Sequence, residues 1–301
     1  MSAPMLTPLP PPHANPHGAT DWTVPVGACD SHCHIFGPAA RFPYLPGRAY
    51  EPAETPLERY RQMTRALGLS RAVFVQPAAY GTDHNAMLDA LERGQGAYRG
   101  VGIVDDSLSH DDLAAMDRAG FRGARFNCVG HLGTRPGHDA ILRVLDRVGP
   151  MGWHLVFHVD AASMKEEAAF LADLPCPVVI DHMARLDAGY GLDQPAFQML
   201  LHLVMLPHVW IKISAADRMT QAATLNDAAP FMRTLANAAP DRTLWGTDWP
   251  HPNSRWMPDD GDLLDLLAAA VPELGRRNAI LVDNPALLYG FDRSAETIDE
   301  Q

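Results

Sequence analysis

The amino-acid sequence predicts an α/β protein, a single (β/α)8 barrel of the TIM type behind a proline-rich arm. Three observations predict it. Eight short apolar runs, rich in β-branched residues, recur along 301 residues, and helical patterns separate most of them. Runs such as AVFVQ and PVVID are apolar throughout, as strands buried on both faces require. Histidines and aspartates gather at the ends of these runs, where a barrel carries its active site.

The arm, residues 1–24, contains LTPLPPPHANPHG, which cannot sustain helix or sheet. It is expected to lie extended on the surface with His13 and His17 exposed. The barrel is expected over residues 25–292, with a tail at 293–301. The strands are read at Val26–Cys29, Ala72–Gln76, Gly100–Val104, Gly123–Phe126, His154–Val159, Val178–Asp181, Val209–Ile213 and Thr243–Gly246. Helices are read at Pro56–Leu67, Asn85–Arg93, Ser109–Ala119, Asp139–Val148, Ser163–Leu171, Pro195–Leu206, Ala228–Ala238, Asp260–Ala270 and Leu274–Leu281. A strand–helix alternation implies parallel strands joined by crossovers. The rival, an open doubly wound sheet, needs a glycine-rich phosphate turn after the first strand. The sequence there is CDSHCHIFG.

Composition narrows the function. Hydrophobic residues are 47% of the chain, as in globular proteins, and the net charge of −12 argues against a nucleic-acid partner. No apolar stretch approaches a membrane span, and no basic segment precedes an apolar run at the N-terminus. No membrane partner is therefore expected. Four cysteines, Cys29, Cys33, Cys128 and Cys176, form no disulfide framework, and a cytoplasmic location is expected. Nothing in the sequence fixes an oligomeric state.

The chemistry-bearing residues sit at four strand ends. His32 and His34 follow the first strand, and residues at i and i+2 of an extended segment project from one face. His158 ends the fifth strand, Asp181 and His182 the sixth, and Asp248 the eighth. Each alone has a structural explanation, since a histidine beside an apolar strand is usually a hydrogen-bonded core residue; His154, His202 and His208 are left in that class. Together they would converge in one cup. Arg125 and Arg218, near the ends of strands four and seven, have the fork that matches a carboxylate or sulfonate. Arg48, Tyr80 and His251 are further candidates. Trp245, Trp249 and Phe126 are expected to pack.

HCH on the first strand, IDHM on the sixth and WGTDWPHPN on the eighth resemble the amidohydrolase superfamily. The segments GTDHN, GARFN and DNPALLYGF extend that resemblance to the amidohydrolase-2 group, over nearly the whole chain after the arm. The resemblance implies a hydrolase that opens an anionic lactone ring in aromatic-compound degradation, of the 4-sulfomuconolactone or 2-pyrone-4,6-dicarboxylate type. A decarboxylase, a sugar lactonase and a lactone isomerase of the same superfamily are the alternatives; a non-catalytic binding protein is disfavoured by the intact site residues.

Carried over by position, Asp248 and His182 are the catalytic residues. Arg125, Arg218, Arg185, Tyr50 and His131 are substrate-binding. Two departures stand out: His158 where the pyrone-dicarboxylate branch has tyrosine, and His131 where it has arginine. The first favours a metal, the second removes one anion clamp. One divalent ion, of zinc character, is expected on His32, His34, His158 and Asp248. Catalysis without metal is the alternative. Strand four, GARFNC, has no lysine to form a bridging carbamate, so one ion is expected rather than two. Asp248 would take the proton of the attacking water, and His182 would donate to the carbonyl oxygen.

Overall fold

The structure, a computed structural model, describes residues 9–132, 135–220, 225–252, 254 and 256–292, without the His131 side chain. Eight parallel strands follow one another in chain order: β1 (Cys29–Cys33), β2 (Arg71–Val75), β3 (Tyr98–Ile103), β4 (Phe121–Asn127), β5 (His154–His158), β6 (Val178–Ile180), β7 (Val209–Lys212) and β8 (Thr243–Leu244). Backbone bonds close the barrel beyond β8. Ser31 N–H donates to Trp245 O at 2.9 Å, Asp248 N–H to His32 O at 2.8 Å and His34 N–H to Trp249 O at 2.8 Å.

The helices that cover the strands are α1 (Leu57–Leu67), α2 (Asn85–Arg93), α3 (His110–Ala119), α4 (His138–Val148), α5 (Ala161–Asp173), α6 (Pro195–Val204), α7 (Ala229–Ala238) and α8 (Asp260–Ala270). After them α9 (Leu274–Asn278) runs through a wide turn at Ala279–Asp283 into α10 (Asn284–Tyr289). Local chemistry sets several ends. Ser109 and Asp112 close a reciprocal capping box at α3. Asp160 caps α5 and accepts from Ala162 and Ser163, so this helix starts two residues before the apolar pattern does.

Two apolar layers follow from strand alternation. Val73, Val75, Val101, Val156, Val179 and Leu244 fill the barrel lumen, and Tyr289 and Phe291 of the C-terminal segment join them. The opposite faces pack against the helices. Trp245, Trp249 and Phe126 are buried, as expected of packing aromatics.

Two strands differ from the sequence reading. β1 lies three residues later than the apolar run, because Gly27 turns the chain at φ +81° and the register is set by Cys29 against Arg71 and Cys33 against Phe74. Polar Asp30, Ser31 and His32 are thus strand residues with no exposure. β8 is shorter than read, since its wall continues as the bonds to Ser31 and His34.

The described part of the arm runs along α1 and α8. Asn15 accepts from Gln62, His17 meets Asp262 at 3.0 Å, and Thr20 N–H donates to Asp265 at 3.0 Å. His17 is exposed, as expected, though partnered. The first eight arm residues and the tail at 293–301 lie outside the described residues. No described helix is long and apolar enough to cross a membrane. All four cysteines are free thiols.

Candidate active site

The site forms where β1, β6 and the segment after β8 meet. Backbone pairing of Asp248 with His32 brings the aspartate beside the HCH segment. Gly246 makes that approach feasible: a Cβ there would lie 2.5 Å from His32 N and 2.9 Å from His32 Cβ. The barrel mouth is also conformationally costly. His182, Met183, Ala184, Arg185, Ala215, Asp248 and His251 all have positive φ, and Gln95 is the one other non-glycine with positive φ among the described residues. Left-handed backbone costs roughly 1–2 kcal/mol per residue, and it persists where surrounding structure forces it, commonly at functional sites.

Three imidazoles converge on one oxygen. His34 Nε2 lies 3.2 Å from Asp248 Oδ1, and His32 Nε2 and His182 Nε2 each lie 3.6 Å from it. The other ring nitrogens are anchored. His34 Nδ1 donates to Val75 O at 2.7 Å, which fixes the orientation of the ring. His182 Nδ1 shares a hydrogen bond of 2.9 Å with Ser214 Oγ. Asp248 Oδ2 faces away and accepts twice from Arg218, from Nε at 2.9 Å and from Nη2 at 2.6 Å.

A second charged layer lies beneath. Asp181 Oδ1 is 3.2 Å from His32 Nδ1 and 3.1 Å from Lys212 Nζ, while Arg125 Nε donates to Asp181 Oδ2 at 3.2 Å. His32, Asp181 and Lys212 have no exposure. Outside the ring, Asp30 accepts from Thr247 N–H at 2.9 Å, Thr247 Oγ1 at 2.7 Å and Tyr60 at 3.2 Å, and so braces the turn before Asp248. His251 bonds Asp260 at 3.1 Å, and its backbone N–H donates to Asp248 O at 2.7 Å.

Burial and charge fix the protonation states. Burial pushes the Asp248 carboxyl up, but Arg218, His182 and His34 outweigh it and hold the group well below the carboxylate range. Asp181 is likewise pulled down against its burial, chiefly by Lys212 and His32. Burial lowers His182 to about 3 and holds His32 and His158 well below the imidazole range, so all three rings are neutral at pH 7. Burial also lowers Arg185, and Arg218 adds to this.

Eight of the expected residues, His34, Tyr50, His158, His182, Asp248, Arg125, Arg185 and Arg218, line one pocket. Their detailed roles differ from the sequence reading in three respects. First, His158 does not join the close set: ligand atoms of His32, His34 and Asp248 lie within 4.8 Å of one another, as do those of His32, Asp181 and His182. His158 sits one ring further out, 5.4 Å between centroids from His182, with Nδ1 3.4 Å from Asn127 Oδ1. The left-handed backbone at His182 turns that ring into the cup instead. Second, Arg218, expected at a substrate anion, donates twice to Asp248 Oδ2. Third, Arg125, expected at a substrate anion, donates from Nε to Asp181 and from Nη1 to Gln76 O while still lining the pocket. Opposite charges that converge at the strand ends pair when both are buried. Arg185 lines the pocket and makes no ion pair or hydrogen bond among the described residues. The His131 side chain and Asn253 lie outside the described residues.

Lys212, Ser214, Asp30 and Thr247 were not singled out in the sequence. Lys212 left a signal: a lysine at an inward position of the buried run VWIK.

The donor set suits a metal. His32 Nε2 is a buried ring nitrogen without a hydrogen-bond partner, aimed at the Asp248 oxygen. Neutral imidazoles with a carboxylate are ligands for a divalent ion. Asp181 is already neutralised by two cations, so the set His32, His34 and Asp248 is the better cradle.

The chain is also similar to known proteins. Residues 29–291 match the amidohydrolase family described as Amidohydro_2. A 2-pyrone-4,6-dicarboxylate hydrolase of Comamonas testosteroni is 39% identical over 289 residues, covering 92% of this chain and 94% of that protein. A 4-sulfomuconolactone hydrolase of Hydrogenophaga intermedia is 37% identical over 283 residues, covering 92% of each. The crystal structure of a probable 2-pyrone-4,6-dicarboxylic acid hydrolase from Acinetobacter baumannii, with citric acid bound, matches with a TM-score of 0.80 at 24% identity, over 88% of this chain and 100% of that one, and supports the barrel fold. With its HCH strand, its IDHM turn and its eighth-strand aspartate gathered in one cup at the barrel mouth, the chain belongs to the amidohydrolase family.

Proposed function

We propose that this protein hydrolyses the ring ester of a small anionic lactone, of the 4-sulfomuconolactone or 2-pyrone-4,6-dicarboxylate type. The observation that carries this reading is the convergence of His32, His34 and His182 on Asp248 Oδ1 beside the guanidinium of Arg185, which has no ion-pair partner among the described residues. The names of the relatives at 39% and 37% identity support the same class.

His32, His34 and Asp248 would hold one divalent ion, of zinc character. The chemistry such an ion supplies when bound is Lewis acidity, which eases deprotonation of water near pH 7 and polarises a carbonyl. Arg185 holds the substrate carboxylate or sulfonate by paired hydrogen bonds, and Tyr50 forms the wall beside it. Asp248, ionised at neutral pH, takes the proton from water as its oxygen adds to the ring carbonyl. His182, with Ser214 donating to its Nδ1, turns Nε2–H toward the carbonyl oxygen where negative charge builds. The ring C–O bond then breaks, and Asp248 returns its proton to the leaving oxygen. His158 lines the pocket behind His182 and shapes the side of the cup away from Asp248.

The test is a panel of 4-sulfomuconolactone, 2-pyrone-4,6-dicarboxylate and a neutral sugar lactone, followed by ultraviolet absorbance with released CO2 measured in parallel. Turnover of an anionic lactone, without CO2 and abolished by Asp248→Asn in a folded protein, is expected. Release of CO2, or a preference for the neutral lactone, would overturn the reading.

A further inference from the structure

A second, larger cavity lies beside the catalytic pocket, between the ends of β3 and β4 and the helix α4. It measures about 240 Å3, against about 30 Å3 for the catalytic pocket. A space of 30 Å3 holds about two waters, so the reacting bond fits there and the rest of a substituted ring must lie beside it. The two cavities share Arg125 and Leu132 as lining residues. Asn127 adds a further link. It lines the larger cavity, and its Oδ1 lies 3.4 Å from Nδ1 of His158, which lines the catalytic pocket. Val104, Phe126, Ala140 and Val144 give the larger cavity apolar walls. Its carboxylates, Asp105 and Asp106, are occupied: Asp105 accepts from Ser107 N–H at 2.8 Å, and Asp106 pairs with Arg143 at 2.8 Å. Its one cation, Arg125, already pairs with Asp181. An anion placed there would meet apolar walls and two like charges. Apolar cavities of about 150 Å3 accept benzene, so this one has room for a phenyl or butyl group.

We propose that this cavity is a substrate subsite for an uncharged, apolar substituent, an alkyl or phenyl group, that the lactone carries beside its anionic group. The proposal rests on the lactone reading and narrows it. The ring ester lies against Asp248 and His182, the acid group meets Arg185, and the substituent passes by Arg125 and Leu132 toward Ala140. A carboxylate on that substituent would lose its hydration without gaining a partner, so the cavity selects against a charged one. Ala140, in the first turn of α4, sets the room available, because its methyl leaves open the space that a larger side chain would fill.

The experiment has two readouts on the full-length protein. The first needs no turnover: calorimetric titration of butanoate, pentanoate, hexanoate and adipate. Affinity is expected to rise about fourfold per added CH2 from butanoate to hexanoate, the worth of a buried methylene. Adipate, which ends in a second carboxylate, is expected to bind at least tenfold more weakly than hexanoate. Ala140→Phe should remove the rise. A flat series, adipate equal to hexanoate, or a rise that persists in a folded Ala140→Phe would overturn the proposal. The wild-type comparison of hexanoate with adipate decides the matter even where the variant does not fold. The second readout is hydrolysis of 2-pyrone-6-carboxylate, unsubstituted or with a butyl group at C3, C4 or C5. One butyl isomer is expected to exceed the parent in kcat/KM by at least tenfold, and Ala140→Phe to erase that ratio. A parent preferred over all three isomers would overturn the proposal. Hydrolysis of no lactone, beside the expected carboxylate series, would overturn the lactone reading and leave the apolar subsite standing.

Discussion

Replacing Arg218 by glutamine tests whether this arginine serves the enzyme's carboxylate or the substrate's. Its two donors reach Asp248 Oδ2 at 2.9 and 2.6 Å, and both side chains are nearly inaccessible, at 6% and 1% exposure. Removing one partner of a buried pair costs about 3–5 kcal/mol, because it leaves a charge uncompensated. His34 remains 3.2 Å from Oδ1, so the low end, about 3 kcal/mol, is expected here. At roughly 2–4 °C per kcal/mol for large domains, Tm falls by about 6–12 °C. The sign with pH follows from linkage. Asp248 titrates below its ordinary value in the folded wild type, so its contribution is complete above about pH 4 and is lost as acid reaches the folded pKa. In Arg218→Gln the carboxyl moves up. The Tm gap between the two proteins is therefore widest at neutral pH and narrows toward pH 4 and below. Thermal melts by circular dichroism from pH 7 to pH 4 measure it. A gap under about 2 °C, or one constant across that range, would refute the assignment. In turnover, kcat should fall alike for anionic and neutral lactones; an effect confined to KM for the anionic one would return Arg218 to the role of substrate clamp.

Three further outcomes are expected. Arg185→Met should raise KM for an anionic lactone by about 10- to 100-fold, the worth of a hydrogen bond between charged groups, and leave a neutral lactone unchanged in the same steady-state assay. Gly246→Ala should lower kcat/KM by about 100-fold, because the new methyl must push His32 away from Asp248, whereas Gly137→Ala, where a Cβ meets nothing within 4 Å, should leave kinetics unaltered. By elemental analysis His34→Asn should lose at least tenfold more bound zinc than His158→Asn, since His34 belongs to the close donor set and His158 does not; equal losses would restore His158 as a ligand.

The barrel was legible because its strands are apolar on both faces and its helices carry a stripe, and these periodicities survive whatever packs against them. The helices Asn85–Arg93 and Asp260–Ala270 begin and end where the pattern does. The first strand was not, because Asp30, Ser31 and His32 are polar and their place in the sheet depends on partners at Arg71, Thr247 and Asp248. The cluster itself was legible as a set of residue types at strand ends. Its pairings were not. Whether Arg218 meets a substrate or Asp248, and whether His158 or His182 completes the cup, depends on distances of a few ångströms between segments far apart in the chain. Sequence order by itself determined the strand succession, the polar rim and the family. Only the tertiary structure decided which charges neutralise each other, because an ion pair buried at 3 Å is set by the backbone path at positions such as Gly246 and His182. For the same reason Lys212, one lysine in an apolar strand, acquired meaning only when the fold set it against His32 and Asp181.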